Sequence, residues 1–272
     1  MSRLLVVVDL DSPVDALLVA FVALLGLVVG SFLNVVIARV PEGESVVSPR
    51  SRCPRCHSEI RERDNIPVLS WLMLRGRCRH CREPISVRYP IVEAGHALLW
   101  MAMLWRFGWS AELPAYLYFA SVGLALAVID LDTKRLPNIL TLPSYGVLGV
   151  LLLLPAAMGS DWSTYLRAWL AAAALFGFYF VLAVVYPAGM GLGDVKLAGV
   201  LGLVLGWLGW GQLAIGGFLG FFLGAVVGGA LMLVGRARRK SKIPFGPFML
   251  AGALIAILWG GTLWDQYTSV MT

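Results

Sequence analysis

The sequence predicts an all-α polytopic membrane protein of about eight transmembrane helices, with a small cytoplasmic four-cysteine domain between the first and second. Two observations predict the helices and a third excludes the alternative. Of the 272 residues, 59% are hydrophobic and only 14% charged, where a soluble domain carries roughly 25% charged residues. Mean hydropathy is +0.80, and apolar runs recur that are each long enough to cross a hydrocarbon core of about 30 Å. The alternation of apolar and polar residues that marks a membrane β-barrel is missing.

The first apolar run covers residues 14–37. Before it, the stretch from Met1 to Asp15 holds one Arg and three Asp. That is the wrong polarity for the n-region of a signal peptide, and no small-residue cleavage site follows, so the run reads as a retained span. Next comes a polar segment, residues 38–88, with eleven Arg against six acidic residues. Further spans are expected at 89–105, 114–130, 139–157, 165–186, 195–210, 212–234 and 248–263. The organisation expected is therefore one helix (1–37), a four-cysteine domain (38–88) and a seven-helix membrane domain (89–272).

Charge gives the orientation. The Arg-rich segment belongs in the cytoplasm by the positive-inside tendency, which puts the N-terminus outside. Eight spans then leave four connections inside: 38–88, 131–138, 187–194 and 235–247. These hold most of the basic residues, including Lys134, Arg135 and the run from Arg236 to Lys242. The net charge of +6 thus follows membrane topology and does not point to nucleic acid.

The four cysteines form two C-x2-C pairs, Cys53 with Cys56 and Cys78 with Cys81, separated by 21 residues. Zinc knuckles use this spacing, each pair giving two thiolates to one tetrahedral ion. A segment of about 50 residues has little core of its own, and a structural Zn2+ would supply the stability it lacks. Four thiolates leave no open position for catalysis. A reducing cytoplasm argues against structural disulfides, though free thiols or a redox pair also satisfy the pattern. His57 and His80 adjoin the cysteines as alternative ligands. The basic surface around the site either faces lipid headgroups or an anionic partner, or merely sets topology.

Two aspartates stand at the ends of apolar runs. Asp194 follows the glycines of Gly189-Met190-Gly191-Leu192-Gly193 and precedes Lys196; Asp130 ends the third span. By the span count both lie on one membrane face at one depth. An ionisable group so close to hydrocarbon needs a partner, a wet cavity or a task. Two such carboxylates sharing a proton hold and activate a water, one as base and one as acid. The glycines remove side chains beside Asp194, so an extended backbone can approach. The residues alone leave another reading open: Asp194 as a helix N-cap, and Asp130 with Asp132 as turn residues before Leu136-Pro137-Asn138.

An ordered set of motifs resembles the type IV prepilin peptidases, bacterial leader peptidases of the GxGD aspartic protease class. The first part runs Gly30-Ser31-Phe32-Leu33-Asn34, Arg52-Cys53-Pro54-Arg55-Cys56, Asp64-Asn65-Ile66-Pro67, Gly76-Arg77-Cys78 and Arg88-Tyr89-Pro90-Ile91 to Glu93. It continues through Asp130-Leu131-Asp132-Thr133, Gly191-Leu192-Gly193-Asp194-Val195-Lys196 and Pro244-Phe245-Gly246-Pro247. The resemblance covers nearly the whole chain. It implies a catalytic pair of Asp194 and Asp130, with Asp132 as the alternative, supported by the loop of Gly191, Gly193 and Lys196. It implies cleavage of the leader of type IV prepilins or type II secretion pseudopilins at the cytoplasmic face of the inner membrane. It also implies N-methylation of the new N-terminus with S-adenosylmethionine, although no nucleotide-binding glycine fingerprint on a βαβ unit is present. Acidic residues such as Glu42, Glu44, Glu59 and Glu62 are candidates for receiving a basic leader. The competing functions are an ion or proton transporter built on the aspartates, which would want them near mid-membrane and in repeats, and a zinc-stabilised scaffold without chemistry.

Overall fold

The computed structural model describes residues 12–159, 161–187, 189–236 and 243–271. Among these residues it contains nine α-helices: α1 (Pro13–Arg39), α2 (Leu69–Met73), α3 (Arg88–Phe107), α4 (Leu113–Thr133), α5 (Asn138–Gly159), α6 (Trp162–Val185), α7 (Leu192–Leu208), α8 (Trp210–Leu233) and α9 (Gly246–Met271). The only sheet-like pairings described are two isolated β-bridges. The eight long helices coincide with the eight expected spans, and α2 is a single turn inside the polar segment.

Six of them, α1, α4, α5, α6, α8 and α9, are long and apolar enough to cross a membrane. The other two are α3, which carries Arg88, Glu93, His96 and Arg106, and α7, which has 17 residues. The protein is a multi-pass membrane protein. Two ends differ from expectation. α9 continues to Met271, and α7 starts at Leu192, so Gly193 and Asp194 lie inside its first turn. The expected acidic N-terminal stretch lies largely, and residues 237–242 of the basic run wholly, outside the described residues.

The chain divides into two compact units, Met1–Leu113 and Pro114–Thr272. The third helix therefore belongs with α1 and the four-cysteine segment, not with the helices that follow. The reason lies in α1. Gly26 and Gly30, four residues apart, fall on one helix face, and a Cβ at these positions would sit 3.0 Å from the Ala97 Cα and 2.9 Å from the Glu93 Cα. Lipid gives apolar helices no hydrophobic reason to associate, so small residues that let backbones touch do that work. Two polar bonds cross the same seam: Asn34 Nδ2 donates to the Tyr89 carbonyl at 3.2 Å, and His96 Nδ1 lies 2.6 Å from the Gly26 carbonyl. The opposite face of α1, with Leu17, Phe21, Leu24 and Val28, is exposed, as expected of a lipid-facing surface.

The second unit repeats the device twice. On α7, a Cβ at Gly202 would lie 2.6 Å from the Ala172 Cα and one at Gly206 would lie 3.2 Å from the Ala168 Cα, both on α6. On α8, Gly220 meets the Met249 backbone of α9, and Gly252 of α9 meets the backbone at Gly216 and Gly220. α7 is the central element, buried without a break from Leu197 to Trp207 and touching α5, α6, α8 and α9. From α4, Tyr116 Oη donates to the Val204 carbonyl at 2.8 Å. The carbonyls at the C-terminal end of α7 lack helical partners; the Arg167 guanidinium donates to those of Gly206 and Trp207 at 2.9 and 2.8 Å.

Candidate active site and metal centre

Asp130 is 4% exposed, one turn before the end of α4. Its Oδ2 accepts the backbone N–H of Gly246 at 3.0 Å. Gly246 is the first residue of α9, where free N–H groups and the helix dipole favour negative charge. Two residues along a helix rotate a side chain by about 200°, so Asp132 points away and is exposed. The α9 start was announced by glycine followed by proline, since proline is favoured in a first helical turn.

Asp194 is the third residue of α7 and half-buried. Its Oδ2 accepts the Gly191 N–H at 3.1 Å, and its own N–H donates to the Gly191 carbonyl at 3.1 Å. The aspartate thus does cap the helix, but from the third position; the N-cap residue is Gly191.

The segments that hold the two carboxylates meet at Leu136, in the turn after α4. A Cβ at Gly193 would lie 3.1 Å from Leu136 Cβ, and one at Gly246 would lie 3.4 Å from Leu136 Cδ2 and 2.8 Å from Asp130 Oδ2. Asp194 stands close enough to Asp130 to feel its charge. The same segments are tied by Lys196, whose Nζ donates to Asn138 Oδ1 at 2.9 Å and whose carbonyl accepts from Tyr145 Oη at 2.6 Å. Behind Asp194 lies an aromatic cluster in which Tyr179, Phe221 and Phe245 have ring centroids 5.3–6.4 Å apart. Of the expected glycine openings, Gly193 is filled by Leu136 and Gly189 by the Tyr186 ring. Gly191 is open, its nearest neighbour being Asp194 itself. Two carboxylates held against helix N-termini, Asp130 by the start of α9 and Asp194 in the first turn of α7, can divide the tasks of base and acid toward one water if they share it.

In the first unit the four cysteines meet. All four sulfurs lie within 4.8 Å of one another, with Cys53 and Cys81 3.8 Å apart and Cys56 and Cys78 4.0 Å apart. A tetrahedral ion with bonds of about 2.3 Å spaces its sulfurs by about 3.8 Å. The two loops are near copies. Cys53 N–H donates to the Ser58 carbonyl and His57 N–H to Cys53; Cys78 N–H donates to the Glu83 carbonyl and Arg82 N–H to Cys78. His57 and Arg82 both take left-handed backbone, φ 57° and 61°, and the bridges Arg52–Glu59 and Arg77–Pro84 close the two loops.

The electrostatics suit thiolate ligands. Hydrogen bonding by the Ser58 hydroxyl, then by its N–H, holds the Cys56 thiol down at about 6. The N–H groups of Cys81 and His80 lower Cys78. Cys81 takes a hydrogen bond from the Glu83 N–H, yet burial and the three neighbouring sulfurs push it up to about 12. Four sulfurs this close do not all ionise unless a cation sits among them. The cluster fits a metal ion.

Two family models match the chain: the bacterial peptidase A24 N-terminal domain over residues 24–107 and the type IV leader peptidase family over residues 117–233. A prepilin leader peptidase/N-methyltransferase of Pseudomonas putida is 37% identical over 92% of this chain and 93% of its own length. The chain belongs to the type IV leader peptidase family. A relative of the same name from Myxococcus xanthus is 46% identical over 70% of this chain and 57% of its own length. One from Aeromonas hydrophila is 36% identical over 91% and 93%. No solved structure matches. Each family segment falls within one of the two compact units, the cysteines in the first and both aspartates in the second.

Proposed function

We propose that the protein is a membrane aspartic endopeptidase that removes the leader of type IV prepilins or type II secretion pseudopilins and then N-methylates the new N-terminal residue. Its relatives carry both activities in their names. The observation that carries the peptidase is the approach of Asp130 and Asp194, held at two helix N-termini in segments that meet at Leu136. One carboxylate deprotonates the water; the other, protonated, donates to the scissile carbonyl oxygen as the oxyanion forms. Gly191 leaves space for substrate backbone beside Asp194, and Lys196 fixes the loop through Asn138.

The positive-inside charge layout supports a site at the cytoplasmic face of the inner membrane. A basic leader stays in water there while the apolar pilin helix stays in lipid. Cys53, Cys56, Cys78 and Cys81 hold a structural Zn2+, which organises the first unit and takes no part in hydrolysis. S-adenosylmethionine, when bound, supplies a methyl group to the new amine, leaving the thioether and a proton.

The test is cleavage of a prepilin-like peptide by the purified full-length protein. Asp130→Asn and Asp194→Asn should each slow cleavage by about 10²–10⁴-fold with the fold retained, and Asp132→Asn should cleave normally. Full activity in Asp130→Asn, with loss in Asp132→Asn, would move the first carboxylate.

A further inference from the structure

Two antiparallel helices that touch at fixed points stay level along their length, because each residue adds the same rise on either one. Gly202 of α7 lies against Ala172 of α6, and Gly206 lies against Ala168. Counting about seven residues from the first contact toward the turn that joins the helices, α6 presents Tyr179 and α7 presents Val195. Seven residues are close to two full turns, so Tyr179 leaves α6 on the face that Ala172 turns toward α7. Tyr179 is therefore level with the first turn of α7, where Asp194 stands.

Tyr179 is only 1% exposed, and its ring is fixed by neighbours, with centroids 5.3 Å from Phe221 and 6.4 Å from Phe245. Phe245 precedes Gly246, whose N–H holds Asp130. The ring thus packs on the segment that holds one carboxylate while its hydroxyl feels the charge of the other, Asp194. That hydroxyl is uncommitted. Tyr116, Tyr145 and Tyr165 donate to the carbonyls of Val204, Lys196 and Gly149, and Tyr118 pairs with the Ser144 hydroxyl. Tyr179 has no such partner among the described residues. A buried tyrosine usually pairs its O–H, and leaving one unpaired is costly. A donor held unpaired beside two carboxylates is preorganised for an oxygen that gains charge during a reaction.

We infer that Tyr179 is a third catalytic residue, whose hydroxyl donates to the scissile carbonyl oxygen of the substrate. The inference rests on the peptidase half of the proposed function and deepens it. As the water oxygen bonds to the carbonyl carbon, one aspartate takes the water's proton and the π pair passes to the carbonyl oxygen. The protonated aspartate and Tyr179 both hydrogen-bond to that oxygen. The phenol keeps its proton throughout, so it steadies the charge without a further transfer.

The test uses the purified full-length protein, a prepilin-like peptide, and the same peptide with a difluoroketone in place of the scissile amide, whose hydrate carries the tetrahedral oxygens. Tyr179→Phe should lower kcat by about 10²-fold with KM nearly unchanged, and should weaken difluoroketone binding by a similar factor. Its thermal midpoint should equal or exceed that of the wild type, since the hydroxyl removed has no partner. Wild-type kcat in Tyr179→Phe would overturn the role. So would a slow variant that binds the difluoroketone as tightly as the wild type, the mark of disturbed packing, or one with a lowered midpoint, the mark of a hydroxyl that holds the fold. Asp194→Asn separates the two readings. Normal cleavage there would remove the peptidase itself, whereas lost cleavage there beside full activity in Tyr179→Phe would remove only the tyrosine.

Discussion

Asp130 accepts a hydrogen bond from the backbone N–H of Gly246 at 3.0 Å, joining the end of α4 to the start of α9 across 116 residues. This bond fixes one carboxylate oxygen and leaves the other for chemistry. It also explains why residue 246 is glycine: a Cβ there would stand 2.8 Å from the same oxygen. Gly246→Ala should displace the carboxylate without unfolding α9. A displacement on the order of 1 Å at a reacting group slows catalysis by about 10²-fold. The kinetic signature expected is a lower kcat with KM nearly unchanged. Wild-type kcat in this variant would remove the positioning role.

The seam between α1 and α3 makes a second prediction. A side chain at Gly30 would strike the Glu93 backbone, which no rotamer change can relieve. Gly30→Leu should destabilise the first unit by about 1–3 kcal/mol, seen as a lower midpoint of thermal unfolding for the full-length protein in detergent. An unchanged midpoint would mean that the helices meet elsewhere.

Removing a thiol should separate the two units by function. Cys53→Ser and Cys78→Ser each take one ligand from the sulfur cluster, and bound metal should fall from about one ion per chain to a small fraction. Proteolysis should then nick residues 40–87, while peptide cleavage by the aspartates stays within a few-fold of wild type. Full metal content in either variant would exclude that cysteine as a ligand.

Asp161 gives a pH-dependent test. It is the N-cap of α6: its side chain accepts from the Thr164 hydroxyl, the Ser163 hydroxyl and the Thr164 N–H. Those three bonds, the Thr164 hydroxyl first, hold the carboxyl at about 2 against an ordinary 3.8. A lowered folded-state value means that the stabilisation is complete above the ordinary value and fades as pH falls toward 2. Asp161→Ala should therefore cost about 1 kcal/mol at neutral pH, and the difference from wild type should narrow by pH 3. A gap independent of pH would show that the carboxylate charge contributes nothing.

Much of this was legible in the residues. The eight long helices follow from apolar length, since a segment in lipid must satisfy its own backbone. The cysteine cluster follows from spacing. The choice of Asp130 over Asp132 was not decidable by pattern alone; it turns on which face of α4 packs inward, and burial of Asp130 with exposure of Asp132 settles only that geometry. The grouping of α3 with α1 in one compact unit was readable, because Gly26 and Gly30 spell a packing motif for apolar helices, whereas the polar segment between the helices suggests a division at residue 88. The role of Leu136 was beyond reach. It depends on two glycines that approach it from α7 and α9, a meeting no local pattern encodes.

The Asn34–Tyr89 bond has a consequence for assembly. It fastens residue 34 to residue 89, so everything between them is a hoop with its ends already joined. Closing a loop of that length is an entropic cost that grows with the logarithm of its length, and here the membrane helices meet it. A metal ion at the cysteine cluster would then have only to gather four sulfurs within a tethered strap, which would let a segment with so little core of its own hold a shaped hollow.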